Sequence, residues 1–182
     1  MNTYMEEISI KKSSFEYLLN ELLKWFEEVA PQKSITSFTR VKTLKLLFFV
    51  SAVKDENGKD LLDVFDKFYA MPHGPVESDI YNFMSTNALD YFSFTDIYMS
   101  KKATYENQSL TLPDDIRLKI DKAVSCLRLQ NQKIITLGAF ELVDISHKWS
   151  VWKNSMRVAE LLGKSSQLMP VEAIRSNVQI FV

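Results

Sequence analysis

The sequence predicts an α+β, mainly α fold: a bundle-like single domain over 1–182, built round a central apolar helix and carrying a small antiparallel β-hairpin. Three observations predict it. Glycine and proline are scarce, 4 and 5 in 182 residues, so long stretches run without a helix breaker. Apolar residues recur at spacings of three and four along much of the chain. The region from Phe92 to Leu112 alternates instead with the two-residue period of strands. A composition that is 46% hydrophobic and 25% charged is that of a globular chain, long enough to bury a core without staples.

Phe15, Leu18, Leu19, Leu22, Phe26 and Val29 form one stripe, with Glu16, Asn20, Lys24 and Glu27 on other faces; this predicts a helix over 14–29, stopped by Pro31. Residues 32–36 are a polar connector, and Ser37 is the expected N-cap of the next helix. That helix carries Val41, Leu44, Leu46, Leu47, Phe48, Phe49, Val50 and Val53 and is apolar nearly all round, the mark of a central core helix. Asn57-Gly58 signals a turn, after which residues 61–65 should pack on the central helix and residues 67–70 form a short strand. Pro75 suits the first position of a helix over 75–84, with Glu77 and Asp79 in the first turn, where the helix dipole favours acids. Phe92, Phe94 and Tyr98 share one parity, and Leu110 and Leu112 alternate with Ser109 and Thr111, which predicts a hairpin turning near residues 100–103.

Asp114 or Asp115 should cap a helix carrying Ile116, Ile120, Ala123, Val124 and Leu127. A shorter helix is expected over 137–145, and another through Trp152, Met156, Ala159 and Leu162. Pro170 should open a last one reaching residue 181, with Val171, Ile174, Val178 and Phe181 on one face. The expected core centres on Leu44, Leu47, Phe48, Ile80, Phe83, Ile120, Val124 and Leu142.

Several function classes lose support at this level. A net charge of −1 supplies no global field toward nucleic acid or an anionic membrane, and the clusters at Arg40, Lys42 and Lys45 and at Lys101 and Lys102 are ordinary for solvated faces. The lone cysteine, Cys126, cannot form an intrachain disulfide. The N-terminus is polar and acidic rather than signal-like, and the most apolar stretch, 44–53, is interrupted by Lys45 and too short to span a bilayer; a cytoplasmic protein is expected. There is no Walker loop, dinucleotide fingerprint or zinc-protease helix. His73, His147 and Cys126 lack paired ligand spacing, and Asp63, Asp66 and Asp79 read as solvated acids, so neither metal nor cofactor is expected.

Four segments stand in a fixed order: Lys45-Leu46-Leu47-Phe48-Phe49; Phe68-Tyr69-Ala70-Met71-Pro72-His73-Gly74-Pro75-Val76; Ile80-Tyr81; and Glu141-Leu142-Val143-Asp144-Ile145-Ser146-His147, followed by Trp152. Together, from about Leu44 to Lys153, they resemble the Panacea (SocA-like antitoxin) family, with its Lys-Leu-Leu-Tyr-Phe segment, Ala-Trp-x-Tyr-Gly-Pro-Val signature, Val-Tyr pair and Leu-x-x-Leu-Thr-His…Pro-Trp segment. The chain departs from the pattern at Met71 (Trp in the family), His73 (Tyr) and Val151 (Pro). The resemblance places a Panacea-like region at about 37–160, with the helices over 14–29 and 170–181 packed on it. It implies a bacterial antitoxin, in some members phage- or mobile-element-associated, that neutralises a co-encoded toxin by direct binding or by delivering it to a protease. The partner implied is therefore a co-encoded toxin, with a protease as a second one where delivery is the route. The residues carried over as structural or interaction positions are Lys45, Leu46, Leu47, Phe48, Ala70, His73, Gly74, Pro75, Val76, Tyr81, Leu142, His147 and Trp152.

Two rivals come from other classes. Asp144 and His147, three apart on a helix, share a face as half of a catalytic triad; a small hydrolase would need His73 and His147 to converge beside a nucleophile or an activated water. A nucleic-acid-binding repressor would need a basic face. His73 otherwise anchors a strand-to-helix corner. Trp25, Trp149 and Trp152 are candidate interface anchors; Trp25 lies off its stripe, which signals exposure or a wide buried face, while Trp152 and Tyr81 read as core.

Overall fold

The computed structural model describes residues 2–95 and 97–182, with side chains from residue 5 onward. α1 (Asn2–Val29) starts well before its apolar stripe, because residues 2–13 hold no breaker and a helix once nucleated propagates through such residues. Its buried face is wide: Leu23 and Trp25 are buried along with the stripe. Ser37 ends a short 3₁₀ turn, and the cap is Thr39, whose Oγ1 accepts from the Lys42 amide at 3.2 Å. The cause is Phe38, which must first reach the core and set its ring edge-on to Phe26 at 5.1 Å. α2 (Arg40–Ala52) is the central helix, with every residue from Lys42 to Ala52 buried. Leu61, Leu62 and Phe65 pack beside it, and the Leu61 amide donates to the Ser51 carbonyl.

β1 (Phe68–Met71) and β2 (Gly74–Glu77) form an antiparallel hairpin that pairs Tyr69 with Val76 and Ala70 with Pro75. Pro75 therefore sits in a strand and opens no helix. Hairpin pairing with Ala70 overrides its preference for a helix start, and α3 (Ser78–Ser85) begins only after Glu77, whose carboxylate accepts from the Ile80 amide at 2.8 Å. β3 (Phe92–Phe94) pairs with β4 (Met99–Lys101). The return strand is thus Met99–Lys101, not the run through Leu110 and Leu112. The Thr95 amide bonds the Tyr98 carbonyl at 3.0 Å and so brings the chain back earlier than residues 100–103. Leu112 fills the core from an extended segment before α4 (Asp114–Gln130), in which Asp114 and Asp115 occupy the first turn and Pro113 the cap position.

α5 (Ala139–His147) starts where Glu141 accepts from the Gly138 amide at 2.7 Å, and α6 (Ser150–Leu161) follows. β5 (Gln167–Leu168) joins β1 and completes a three-stranded sheet of order β2-β1-β5. α7 (Val171–Arg175) is much shorter than the helix expected over 170–181. Beyond it the chain runs as an irregular tail whose carbonyls are held from outside: Asn131 donates to Phe181 at 2.7 Å and the Trp149 indole to Ile180 at 2.8 Å. Val178 is consequently 77% exposed, while Phe181 returns to the core.

One contiguous core runs from Phe15 to Phe181. At its centre the Phe48 ring meets Trp149 at 4.9 Å and Phe68 at 5.4 Å, and Phe181 meets Trp149 at 5.8 Å. Such aromatic pairs add about 0.5–1.5 kcal/mol each beyond area burial. Of the expected core residues, Phe83 alone is half-buried. No helix among the described residues is long and apolar enough to cross a membrane.

Candidate functional site

The four ordered segments meet at the β1–β2 hairpin. α2 passes its outer edge and presents Lys45, 1% exposed, whose Nζ donates to the Pro75 carbonyl at 2.7 Å. Alternation explains the pairing. β1 uses Ala70 toward β5, so the Pro75 carbonyl points away from the sheet, and proline has no N–H to leave unbonded there. One outward acceptor remains and Lys45 satisfies it. Gly74 makes the approach possible: its φ is +90°, and a Cβ there would lie 2.3 Å from Ser146 Oγ and 2.7 Å from Lys45 Cε. Ser146 is fully buried and donates to the Val143 carbonyl at 2.8 Å. Burial pushes Lys45 down to about 7, and a neutral amine still donates to the carbonyl.

Behind this contact the His147 ring stacks on Trp152, 3.7 Å between centroids and 10° from parallel, and the Trp152 indole donates to the Met71 carbonyl at 3.0 Å. Burial lowers the His147 pKa, as does the charge of Lys45; Asp144 and a backbone hydrogen bond at Pro72 act the other way. Trp152 is half-buried, whereas Trp25 and Trp149 are core residues. Leu46, Leu47, Phe48, Ala70, Val76 and Leu142 are buried. Tyr81 departs from its expected core position: it lies exposed on α3, with the Arg40 guanidinium 6.0 Å from its ring centre.

His73 is exposed in the turn between β1 and β2, a strand-to-strand corner and not the expected strand-to-helix one. The two histidines do share a neighbourhood: Trp152, which stacks on His147, bonds the Met71 carbonyl two residues before His73, and the charge of His73 lowers the His147 pKa. The rest of a triad is not assembled with them. Asp144 is exposed and acts on His147 through charge, with no hydrogen bond between them among the described residues, and the Ser146 hydroxyl is closed off.

Two further expectations need correction. Lys42 and Lys45 are not on a solvated face: Lys42 is 2% exposed, with its ammonium 5.1 and 4.9 Å from the Phe26 and Phe38 ring centres, and burial pushes it down to about 8. Lys101 sits 3.9 Å over Tyr105, and Lys102 donates to the Leu89 carbonyl. Lys42 and Lys45 therefore serve internal contacts, while Lys101 is exposed as expected and Lys102 half-buried.

Of the acids expected on solvated faces, Asp63 and Asp66 are exposed but Asp79 is half-buried, and Asp66, Glu77 and Asp79 bring carboxylate oxygens within 4.8 Å of one another. The space a cation would take is filled by Lys11, whose Nζ reaches Asp66 at 2.6 Å, Asp79 at 2.8 Å and Glu77 at 3.0 Å. Burial opposes the Lys11 charge, but Glu77 and the bonds to Asp66 and Asp79 outweigh it and hold the ammonium above its ordinary value. The sequence carries no signal for this node, because Lys11 precedes the apolar stripe of α1.

The family model for the antitoxin SocA-like Panacea domain matches residues 44–153, more than half of the chain and the span that holds the Lys45–Pro75, Gly74–Ser146 and Trp152–Met71 contacts. No curated protein and no solved structure gives a significant match. The chain belongs to the SocA-like antitoxin family and carries its Panacea domain.

Proposed function

We propose that the protein is an antitoxin-type interaction module that neutralises a co-encoded toxin by binding it directly. The observation that carries this reading is how the polar residues of the family segments are engaged. Lys45 closes on Pro75, Gly74 on Ser146 and Trp152 on Met71, so these residues make a frame and leave recognition to the surface. A stable complex would bury roughly 800 Å² per partner, within reach of a chain this size. Carriage beside the toxin gene, on a phage or other mobile element in some hosts, belongs to the same reading.

The test is co-expression with the product of the adjacent gene. Rescue of growth and co-purification of a complex are expected; failure of both overturns the proposal. Direct binding also predicts that rescue persists in a host lacking its ATP-dependent proteases. Loss of rescue there would transfer the role to protease delivery.

A further inference from the structure

We propose that the open edge of β5, with the groove beside it, receives an extended segment of the protein partner, apolar toward the groove and acidic toward α6. The inference rests on the antitoxin reading and names the surface that reading would use. β5 pairs with β1 on one side only. The Met169 amide donates to the Phe68 carbonyl at 2.8 Å, which fixes the alternation: Leu168 turns its own N–H and C=O away from β1. Neither group has a partner among the described residues. A free N–H beside a free C=O on a strand edge is the template that an added strand completes.

Two backbone bonds would not hold a segment by themselves, and the surroundings supply the rest. A groove of about 450 Å³ borders the edge; Val151, Val158, Leu168, Pro170 and Ala173 give it its apolar surface, with serine and amide side chains such as Asn154 between them. Leu168 is 43% exposed and Leu161, on the neighbouring face of α6, 79%. The adjoining stripe of α6 and the turn after it hold Lys153, Arg157 and Lys164, against the single acid Glu160. None of these three cations has an ion pair among the described residues, whereas Lys12, Lys122 and Arg128 are matched to Asp90, Glu56 and Glu28. Unmatched positive charge along an apolar groove selects an occupant that carries acids on one side and apolar residues on the other.

The experiment titrates the full chain with the product of the adjacent gene, followed by calorimetry, using Leu168→Pro, Leu168→Thr, the double variant Lys153→Glu/Arg157→Glu, and Lys119→Glu on α4 as a distant control. Leu168→Pro removes the outward N–H that β1 does not use, and Leu168→Thr keeps it. The proline and double variants should bind at least about tenfold more weakly, with the threonine and control variants within about threefold of wild type. The Leu168 amide should exchange with solvent at least about tenfold more slowly in the wild-type complex, a readout that needs no variant to fold.

Wild-type affinity in Leu168→Pro, or unchanged Leu168 exchange, overturns the docking edge and leaves the antitoxin reading standing. Absence of binding by the wild-type chain fells that reading and the docking edge with it. A concentration-dependent dimer lost in Leu168→Pro would assign the edge to a second copy, and salt-sensitive DNA binding lost in the double variant would assign the charge to nucleic acid; either overturns the proposal.

Discussion

β2 and β5 flank the same central strand, yet they finish the sheet in opposite ways. The β2 edge carries no free donor at Pro75, its outward carbonyl is taken by Lys45, and its far end is anchored through Glu77 to Lys11. At the β5 edge, Leu168 leaves both backbone groups open beside an exposed apolar side chain. The positions that match the family pattern cluster at the closed edge. What the pattern describes is the closure of a sheet, and closure is a property that chains with different partners can hold in common.

The contrast predicts a gradient of mutational cost from one edge to the other. Gly74→Ala should cost most, about 3–5 kcal/mol, because it combines left-handed strain with a contact that Ser146 cannot vacate. Urea denaturation measures it, and adding Ser146→Ala should recover part of the loss. Lys11→Met should cost about 3 kcal/mol, since it leaves the buried Glu77 facing two other acids, and the same titration reads it.

Lys45→Met should cost about 1–2 kcal/mol by orphaning the Pro75 carbonyl. It should also change a slope. The folded protein holds Lys45 down to about 7 against an ordinary 10.5, so between those values the unfolded chain binds the extra proton and stability rises with pH. The penalty is full below about pH 7 and relieved toward 10.5; thermal melts across that window should show a smaller rise in Lys45→Met than in wild type. Leu168→Ala, at the open edge, should shift stability by no more than about 0.5 kcal/mol. A larger loss there would mean that the β5 edge is internally held after all, and the comparison would fail.

The sequence made some of this legible. α2 declares itself by being apolar nearly all round, and the ordered segments point to one neighbourhood because every one of them contacts the hairpin. Pro75 misleads for a definite reason. The first turn of a helix and the outward position of an edge strand both tolerate a missing N–H, and what decides between them is a lysine 30 residues away. β5 escapes notice because two residues show no period and its partner strand lies far earlier in the chain. Tyr81 reads as core by type, but its helix turns it outward. The Lys11 node joins a lysine of α1 to acids 55 to 68 residues later, and no local pattern announces it.

The tail after α7 bears on any attempt to transplant the module. Phe181 packs against the Phe49 and Trp149 rings, and α1 contributes Phe15, Leu18, Trp25 and Phe26 to the same core. A fragment trimmed to the family boundaries would lose both coverings and put large aromatic faces into water. Grafting this domain onto another protein therefore means carrying the helix before it and the tail behind it, with any fusion partner joined where neither is pulled away.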